Sequence, residues 1–179
     1  EPVHTGRNTQ EIREGRFCRY CGTQLAYRFY HYGQLGDYHC PGCGFKRPEL
    51  EFAGRNVELY DGLSFTVGGK WFRSSQRGFY NVYNILAAYA AVRTAGLKAG
   101  NFRKALSDFC PENGRMEEFF AGDTRILLNL AKNPTGFNQN IDVVLQDEQY
   151  KELIIAVNDN EQDGTDISWL WDVDFERLG

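Results

Sequence analysis

Cys18, Cys21, Cys40 and Cys43 follow the spacing C-x2-C-x18-C-x2-C, the pattern with the clearest chemistry in this 179-residue chain. Thiolate sulfur binds zinc at about 2.3 Å, and four such ligands close a tetrahedral shell. A two-residue gap lets one tight turn aim two sulfurs at a single ion. Each pair is followed by a glycine, Gly22 or Gly44, suited to the left-handed backbone such a turn needs. The expected ion is a structural zinc, because four protein ligands leave no open position for water. Two disulfides, or an iron or redox dithiol site, are the alternatives, and disulfides would require an oxidising compartment. On this reading His31 and His39 are strand or turn residues rather than ligands. Cys110 has no partner in the pattern and is a plain thiol.

Four further polar groups stand out. Asn81 and Asn84, at i and i+3, open an otherwise apolar helical stretch, where carboxamides either cap the helix or read the edge of a base. Arg115 follows a breaker cluster and has the fork geometry for a phosphate or a carboxylate. Lys132-Asn133-Pro134 lies between a strand and a helix, a place where anions meet free backbone N–H groups. The run from Asn158 to Asp166 follows an apolar stretch, and in an open α/β sheet ligands gather outside the carboxyl ends of strands. An ordinary solvated loop is the alternative for the last two. No G-x-x-x-x-G-K-[ST] phosphate loop occurs, and His4, His31 and His39 all lie at the zinc-bearing end, so no Ser-His-Asp or Cys-His nucleophile pattern is evident.

The elements that would position these residues follow from turn signals and periodicity. Residues 16–48 form the zinc module, with an aromatic strand at 25–32 between its knuckles. Residues 58–60 and 63–67 flank Asp61-Gly62, a hairpin signal, and Trp71-Phe72 starts a third strand. Val82, Ile85, Leu86, Tyr89, Ala90 and Val92 predict a helix over 81–94 that stops at Gly96. A second helix is predicted over 101–109, with Phe102, Ala105, Leu106 and Phe109 on one side. The breaker cluster at 111–114 marks a domain boundary. Beyond it the pattern predicts strands at 116–120 and 125–131 and a helix at 138–147 with Ile141, Val144 and Leu145 inward. A buried parallel strand at 153–157 would then complete a βαβ unit.

Apolar residues make up 42% and charged residues 25%, the balance of a soluble globular protein, which excludes wholesale disorder and collagen. No stretch nears the roughly 20 consecutive apolar residues of a transmembrane helix, and the polar residues 1–16 are not a secretory signal. The chain starts at Glu1 and its single methionine is Met116, which suggests a fragment or processed chain. The net charge of −4 resolves into +1 over residues 1–60, +5 over 61–110 and −10 over 111–179. Such a split suggests two units with different surfaces, the acidic one facing either solvent or a partner. Overall acidity argues against nonspecific nucleic-acid binding.

Taken together, the motifs resemble the MurT family, the Mur-ligase-like subunits of lipid II isoglutaminyl synthases. The matching elements are Tyr20-Cys21-Gly22 with Leu25 and Tyr27; Gly36 to Cys40 with Cys43 to Arg47; Tyr80 to Asn84 leading to Tyr89; Asn113 to Met116; Leu130 to Pro134; and Asn158-Asp159 with Asp163 to Trp169. The resemblance implies an α/β fold. Residues 1–111 would be part of a Mur-ligase middle domain with a zinc ribbon inserted at about 16–48, and residues 112–179 part of a Rossmann-like C-terminal domain. It implies ATP-dependent amidation of the D-glutamate α-carboxyl of the lipid II stem peptide, through an acyl phosphate and ammonia from a GatD-type glutaminase subunit, with ATP, magnesium and structural zinc as cofactors. Asn81 and Asn84 match asparagines near the adenine, Arg115 and Lys132 match positions facing the nucleotide, and Asp166 matches the aspartate completing a triad with the glutaminase cysteine and histidine. Lipid II is membrane-anchored, which places the work in the cytoplasm at the inner membrane face, with no nucleic-acid partner. The family's phosphate-binding loop and magnesium-holding acid lie upstream of these residues, and the C-terminal domain looks cut short. The 179 residues alone are therefore not expected to hydrolyse ATP. A zinc-ribbon adaptor or nucleic-acid binder, and a Mur-type ligase adding an amino acid, are the competing readings.

Overall fold

Turn chemistry sets most of the local architecture. A computed structural model describes residues 15–110, 112, 114–161 and 165–179. His4, Pro111, Asn113 and residues 162–164 of the acidic run lie outside them. The chain divides into two compact units, one of residues up to Val57 with Phe65–Trp71, the other of Glu58–Ser64 with Phe72–Gly179.

In the first unit β1 (Ala26–Tyr32) pairs antiparallel with β2 (Leu35–His39) across the two-residue turn Gly33-Gln34. Gly33 takes φ +53°, the left-handed backbone such turns require. A side chain at Gly36 would place its Cβ 2.3 Å from the Phe29 carbonyl oxygen, so the facing strands admit only glycine there. Tyr30 is buried, while Asp37 pairs with both Arg28 and Arg47. The strands β3 (Gly54–Glu58), β4 (Leu63–Val67) and β5 (Lys70–Ser74), whose residues are divided between the two units, form a three-stranded sheet in that order. The Asp61-Gly62 signal is realised, with φ +50° and +94°, although β3 ends at Glu58 rather than running on to Tyr60.

In the second unit α1 (Tyr80–Thr94) buries Val82, Ile85 and Tyr89, which lie at i, i+3 and i+7 on one face of the helix. It ends as expected at Gly96, φ +76°, where the Gly96 N–H bonds the Arg93 carbonyl and the Leu97 N–H bonds that of Val92. The second helix, α2 (Ala99–Ser107), starts earlier and stops sooner than the periodicity suggests. Leu106 is buried, but Ala105 and Phe109 are exposed, Phe109 because it lies past the helix end. Phe72 of β5 is 1% exposed and meets Tyr89 and Phe102 edge-on at centroid distances of 5.1 and 5.9 Å. Truncating so enclosed an aromatic leaves a cavity costing about 3–5 kcal/mol. Phe72→Ala is expected to lower the urea midpoint accordingly, and a loss below about 1 kcal/mol would contradict this packing.

The strands β6 (Arg115–Ala121) and β7 (Thr124–Asn129) form an antiparallel hairpin across Gly122-Asp123. The helix α3 (Pro134–Gln146) begins four residues before the expected start. Asn133 caps it, its Oδ1 accepting from the Gly136 N–H at 2.7 Å, and Pro134 needs no donor in the first turn. Its inward side chains are Gln139, Ile141 and Val143, whereas Val144 is half-buried and Leu145 is 45% exposed. The expected strand at 153–157 is not formed. Leu153, Ile154, Ile155 and Val157 are exposed and take no regular structure. A parallel strand needs a neighbour to complete its hydrogen bonds, and none pairs with this run among the described residues, so the βαβ unit is not realised. Two 3-10 turns follow, Ser168–Asp172 and Phe175–Leu178, and Phe175 packs edge-on against Phe137 of α3 at 5.2 Å.

Candidate metal centre and polar site

The two knuckles are built alike. The Cys18 carbonyl accepts from the Gly22 N–H at 2.9 Å while the Cys18 N–H donates to the Thr23 carbonyl at 2.8 Å. The Cys40 carbonyl accepts from Gly44 at 3.0 Å while the Cys40 N–H donates to Phe45 at 2.6 Å. Gly22 and Gly44 both adopt positive φ, +70° and +75°, as the spacing led us to expect. In each knuckle the first cysteine is buried and the second exposed.

All four sulfurs lie within 4.8 Å of one another, with Cys18–Cys43 at 3.6 Å and Cys21–Cys40 at 3.4 Å, and none is in a disulfide. A tetrahedron with zinc–sulfur bonds of about 2.3 Å has edges near 3.8 Å, so these four side chains fit that ion closely. His31 and His39 are outside the four-sulfur group. The thiols are electrostatically unequal. Thr23, through its hydroxyl and its N–H, pulls Cys21 down to about 6. Cys43 is pushed up to about 12: the Phe45 N–H lowers it, but the Cys18 thiol, burial and the remaining thiols together outweigh that donor. The Cys43 thiol thus holds its proton, which metal binding would displace.

The second cluster gathers the starts of α1 and β6. Asn81 is buried, and its Nδ2 donates to the Arg77 carbonyl at 2.7 Å. Its Oδ1 accepts from Asn84 Nδ2 at 3.0 Å. Asn81 is therefore committed to bracing the helix start, while Asn84 is exposed. Arg115 is exposed and acts electrostatically on Tyr80. Burial raises the Tyr80 phenol above its usual range, while hydrogen bonds with Asn81 and Asn129 and the nearby Arg115 pull it back. Asn129 extends the network, accepting from the Met116 N–H at 3.1 Å and donating to Asn140 Oδ1. Asn129 and Asn140 belong to none of the motifs the sequence displays. The available signal was a lone carboxamide, Asn129, inside the apolar run from Ile126 to Leu130.

Lys132 is exposed on the turn that Asn133 and Pro134 organise ahead of α3. Asp166 is exposed, and its Oδ1 accepts from the Ser168 N–H at 2.9 Å. The Ser168 hydroxyl and N–H hold its carboxyl below the usual range, so it is a firmly ionised group. A groove of about 470 Å³, lined in part by Tyr60, Arg77, Arg125 and Asp147, also opens in this unit. Arg125 pairs with Asp147 there at 3.2 Å.

Residues 130–179 match the family model described as MurT ligase C-terminal. Over 167 residues the chain is 37% identical to the lipid II isoglutaminyl synthase (glutamine-hydrolyzing) subunit MurT of Staphylococcus aureus (strain COL), covering 93% of this chain and 38% of that protein. It is 37% identical over 167 residues to the subunit of the same name from Streptococcus pneumoniae (strain ATCC BAA-255 / R6), covering 92% and 37%. The chain thus spans less than two-fifths of the length of these curated relatives. Among solved structures it is similar to a pseudomurein peptide ligase type C from Methanothermus fervidus, with TM-score 0.59 and 30% identity over 73% of this chain and 26% of that one. It is also similar to MurF from Acinetobacter baumannii, with TM-score 0.50 and 21% identity over 55% and 23%, a likeness of fold alone. The architecture is mixed α/β and Mur-ligase-like.

Proposed function

We propose that this chain, which belongs to the MurT family, is part of a ligase that amidates the D-glutamate α-carboxyl of lipid II to D-isoglutamine. The observation that carries the reading is identity of 37% over nearly the whole chain to subunits bearing that synthase name. Residues 1–111 are then part of the middle domain, with the four-cysteine module as an inserted zinc ribbon, and residues 112–179 part of a Rossmann-like C-terminal domain. The ribbon is structural, and its ligands are Cys18, Cys21, Cys40 and Cys43.

The reaction consumes ATP with magnesium. The substrate carboxylate takes the terminal phosphoryl group and ADP leaves; ammonia then attacks the acyl carbon and phosphate leaves. These residues contribute binding and orientation. Asn84 offers its carboxamide to the adenine edge from a helix start braced by Asn81. The Arg115 guanidinium meets phosphate oxygens through charge-assisted hydrogen bonds, and Lys132 adds a second cation at the start of α3. No phosphate loop is among these 179 residues, so the activity belongs to the longer protein. Ammonia comes from a GatD-type glutaminase, whose cysteine and histidine Asp166 completes as a triad. An exposed, firmly ionised carboxylate suits a role toward another subunit's imidazole. Lipid II is membrane-anchored, so the complex works in the cytoplasm at the inner membrane face. No helix among the described residues is long and apolar enough to cross a membrane.

The test is reconstitution of the longer protein with its glutaminase, lipid II, ATP and amide-labelled glutamine. The expected product is lipid II carrying the labelled amide, with ADP released. Addition of an amino acid in place of ammonia, or no change in lipid II, would sink the proposal.

A further inference from the structure

The backbone at Met116 is unusual. Met116 has φ +56°, a left-handed conformation uncommon outside glycine, and it is 7% exposed. The β6–β7 register slips at this point: Arg115 faces Asn129, and the next pair is Glu117 with Leu128. An extra residue in one strand bends it and re-aims the neighbouring side chain. Strained backbone of this kind persists only where its surroundings over-determine it.

Those surroundings are specific. The Met116 N–H is left without a ladder partner by the slip, and Asn129 Oδ1 accepts it at 3.1 Å. The Asn129 carboxamide is in turn held by α3, its Nδ2 donating to Asn140 Oδ1. Two further bonds close the loop: Gly114 N–H donates to Glu117 Oε2 at 2.9 Å, and Leu130 N–H donates to the Gly114 carbonyl at 2.8 Å. One carboxamide therefore ties the bulge that carries Arg115 to α3, which follows Lys132.

We propose that Asn129 is a positioning residue, clamping the Met116 bulge so that the Arg115 guanidinium is held toward an anionic ligand shared with the start of α1. This rests on the nucleotide reading of Arg115 given above, with a polyphosphate as the ligand class. Asn129 touches no reacting atom and acts only through Arg115.

The experiment is a double-mutant cycle in the complete ligase with its glutaminase, reading KM and kcat for ATP from ADP release. A lost charge-assisted contact is worth roughly ten- to a hundredfold in affinity, so Arg115→Ala is expected to raise KM at least about tenfold. Asn129→Leu should raise KM by about the same factor with kcat nearly unchanged, and should add nothing in the Arg115→Ala background. Asn129→Asp keeps the acceptor for the Met116 N–H, and Asn140 can turn its amide to donate, so KM should stay within about threefold of the parent. Asn140→Ala, which leaves the bulge residues untouched, should raise KM in the same direction and likewise add nothing to Arg115→Ala; it serves if Asn129→Leu fails to fold. Additive effects, or an unchanged KM on loosening Asn129, would overturn the positioning role while leaving the nucleotide reading intact. An unchanged KM in Arg115→Ala alone would overturn both.

Discussion

Cys40→Ser is expected to release zinc and unfold the surrounding module, the largest stability effect in the chain. Cys40 is 2% exposed, and its sulfur sits 3.4 Å from that of Cys21. The apolar core near it is small. Within residues 16–48 only Cys18, Tyr30 and Cys40 are buried hydrophobic residues, and the aromatic contacts of Phe45 with Tyr20 and Tyr38, at 5.0 and 5.6 Å, lie at the surface of the cluster. So few buried side chains cannot order some thirty residues against backbone entropy of about 1–2 kcal/mol each. Zinc binding to small four-ligand modules is worth about 10–16 kcal/mol at neutral pH, enough to supply the difference. Elemental analysis should give about one zinc per chain for the parent and far less for Cys40→Ser, with the near-ultraviolet signal of the module's tyrosines lost in parallel. A chelator should reproduce both changes. Cys110→Ser, at an exposed thiol outside the cluster, should change neither. Full zinc occupancy in Cys40→Ser, or two disulfides in the parent, would refute the assignment.

The gathering of the four cysteines was legible because it is local: two short knuckles, each with its own glycine, fix where the sulfurs point. The hairpin turn at Asp61-Gly62 was legible for the same reason, since positive φ leaves a mark on residue choice. What failed was tertiary. The run at 153–157 has the composition of a buried strand, but composition does not say which strand lies alongside, and here none does among the described residues. In α3 the Asn133-Pro134 signal marked the true start, and reading the helix from 138 instead moved the inward face from Val143 to Val144 and Leu145. The polar site divides likewise. Asn81 and Arg115 were visible as unusual polar residues at element starts. The tie of the Arg115 bulge to α3 through Asn129 was not, because it depends on a left-handed methionine that no sequence pattern announces.

Asp166→Asn is expected to abolish glutamine hydrolysis by the complex while leaving ATP binding by the ligase subunit unchanged. The substitution is a clean one here. Asp166 Oδ1 accepts from the Ser168 N–H at the entry to the Ser168–Asp172 turn, and the carboxamide oxygen of asparagine can accept the same bond. The turn survives and only the charge is lost. In a triad the carboxylate orients the imidazole and stabilises its cation, and its amide replacement typically costs about ten-thousandfold in turnover. The Ser168 hydroxyl and N–H lower the Asp166 carboxyl below its ordinary value. A depressed value means that the folded form keeps the charge as pH falls below the usual carboxylate range, and the associated stability, present above the unfolded value, fades only as pH passes through the folded one. The acid limb of glutaminase activity should therefore follow the partner's histidine and not Asp166. Ser168→Ala removes the hydroxyl donor and should move the Asp166 carboxyl back up, which a carboxyl-resolved NMR titration would register. Glutamine hydrolysis in Asp166→Asn within a few-fold of the parent would remove this residue from the triad, whatever the fate of the ligase reading, because ATP affinity and ammonia-dependent amidation are measured separately from it.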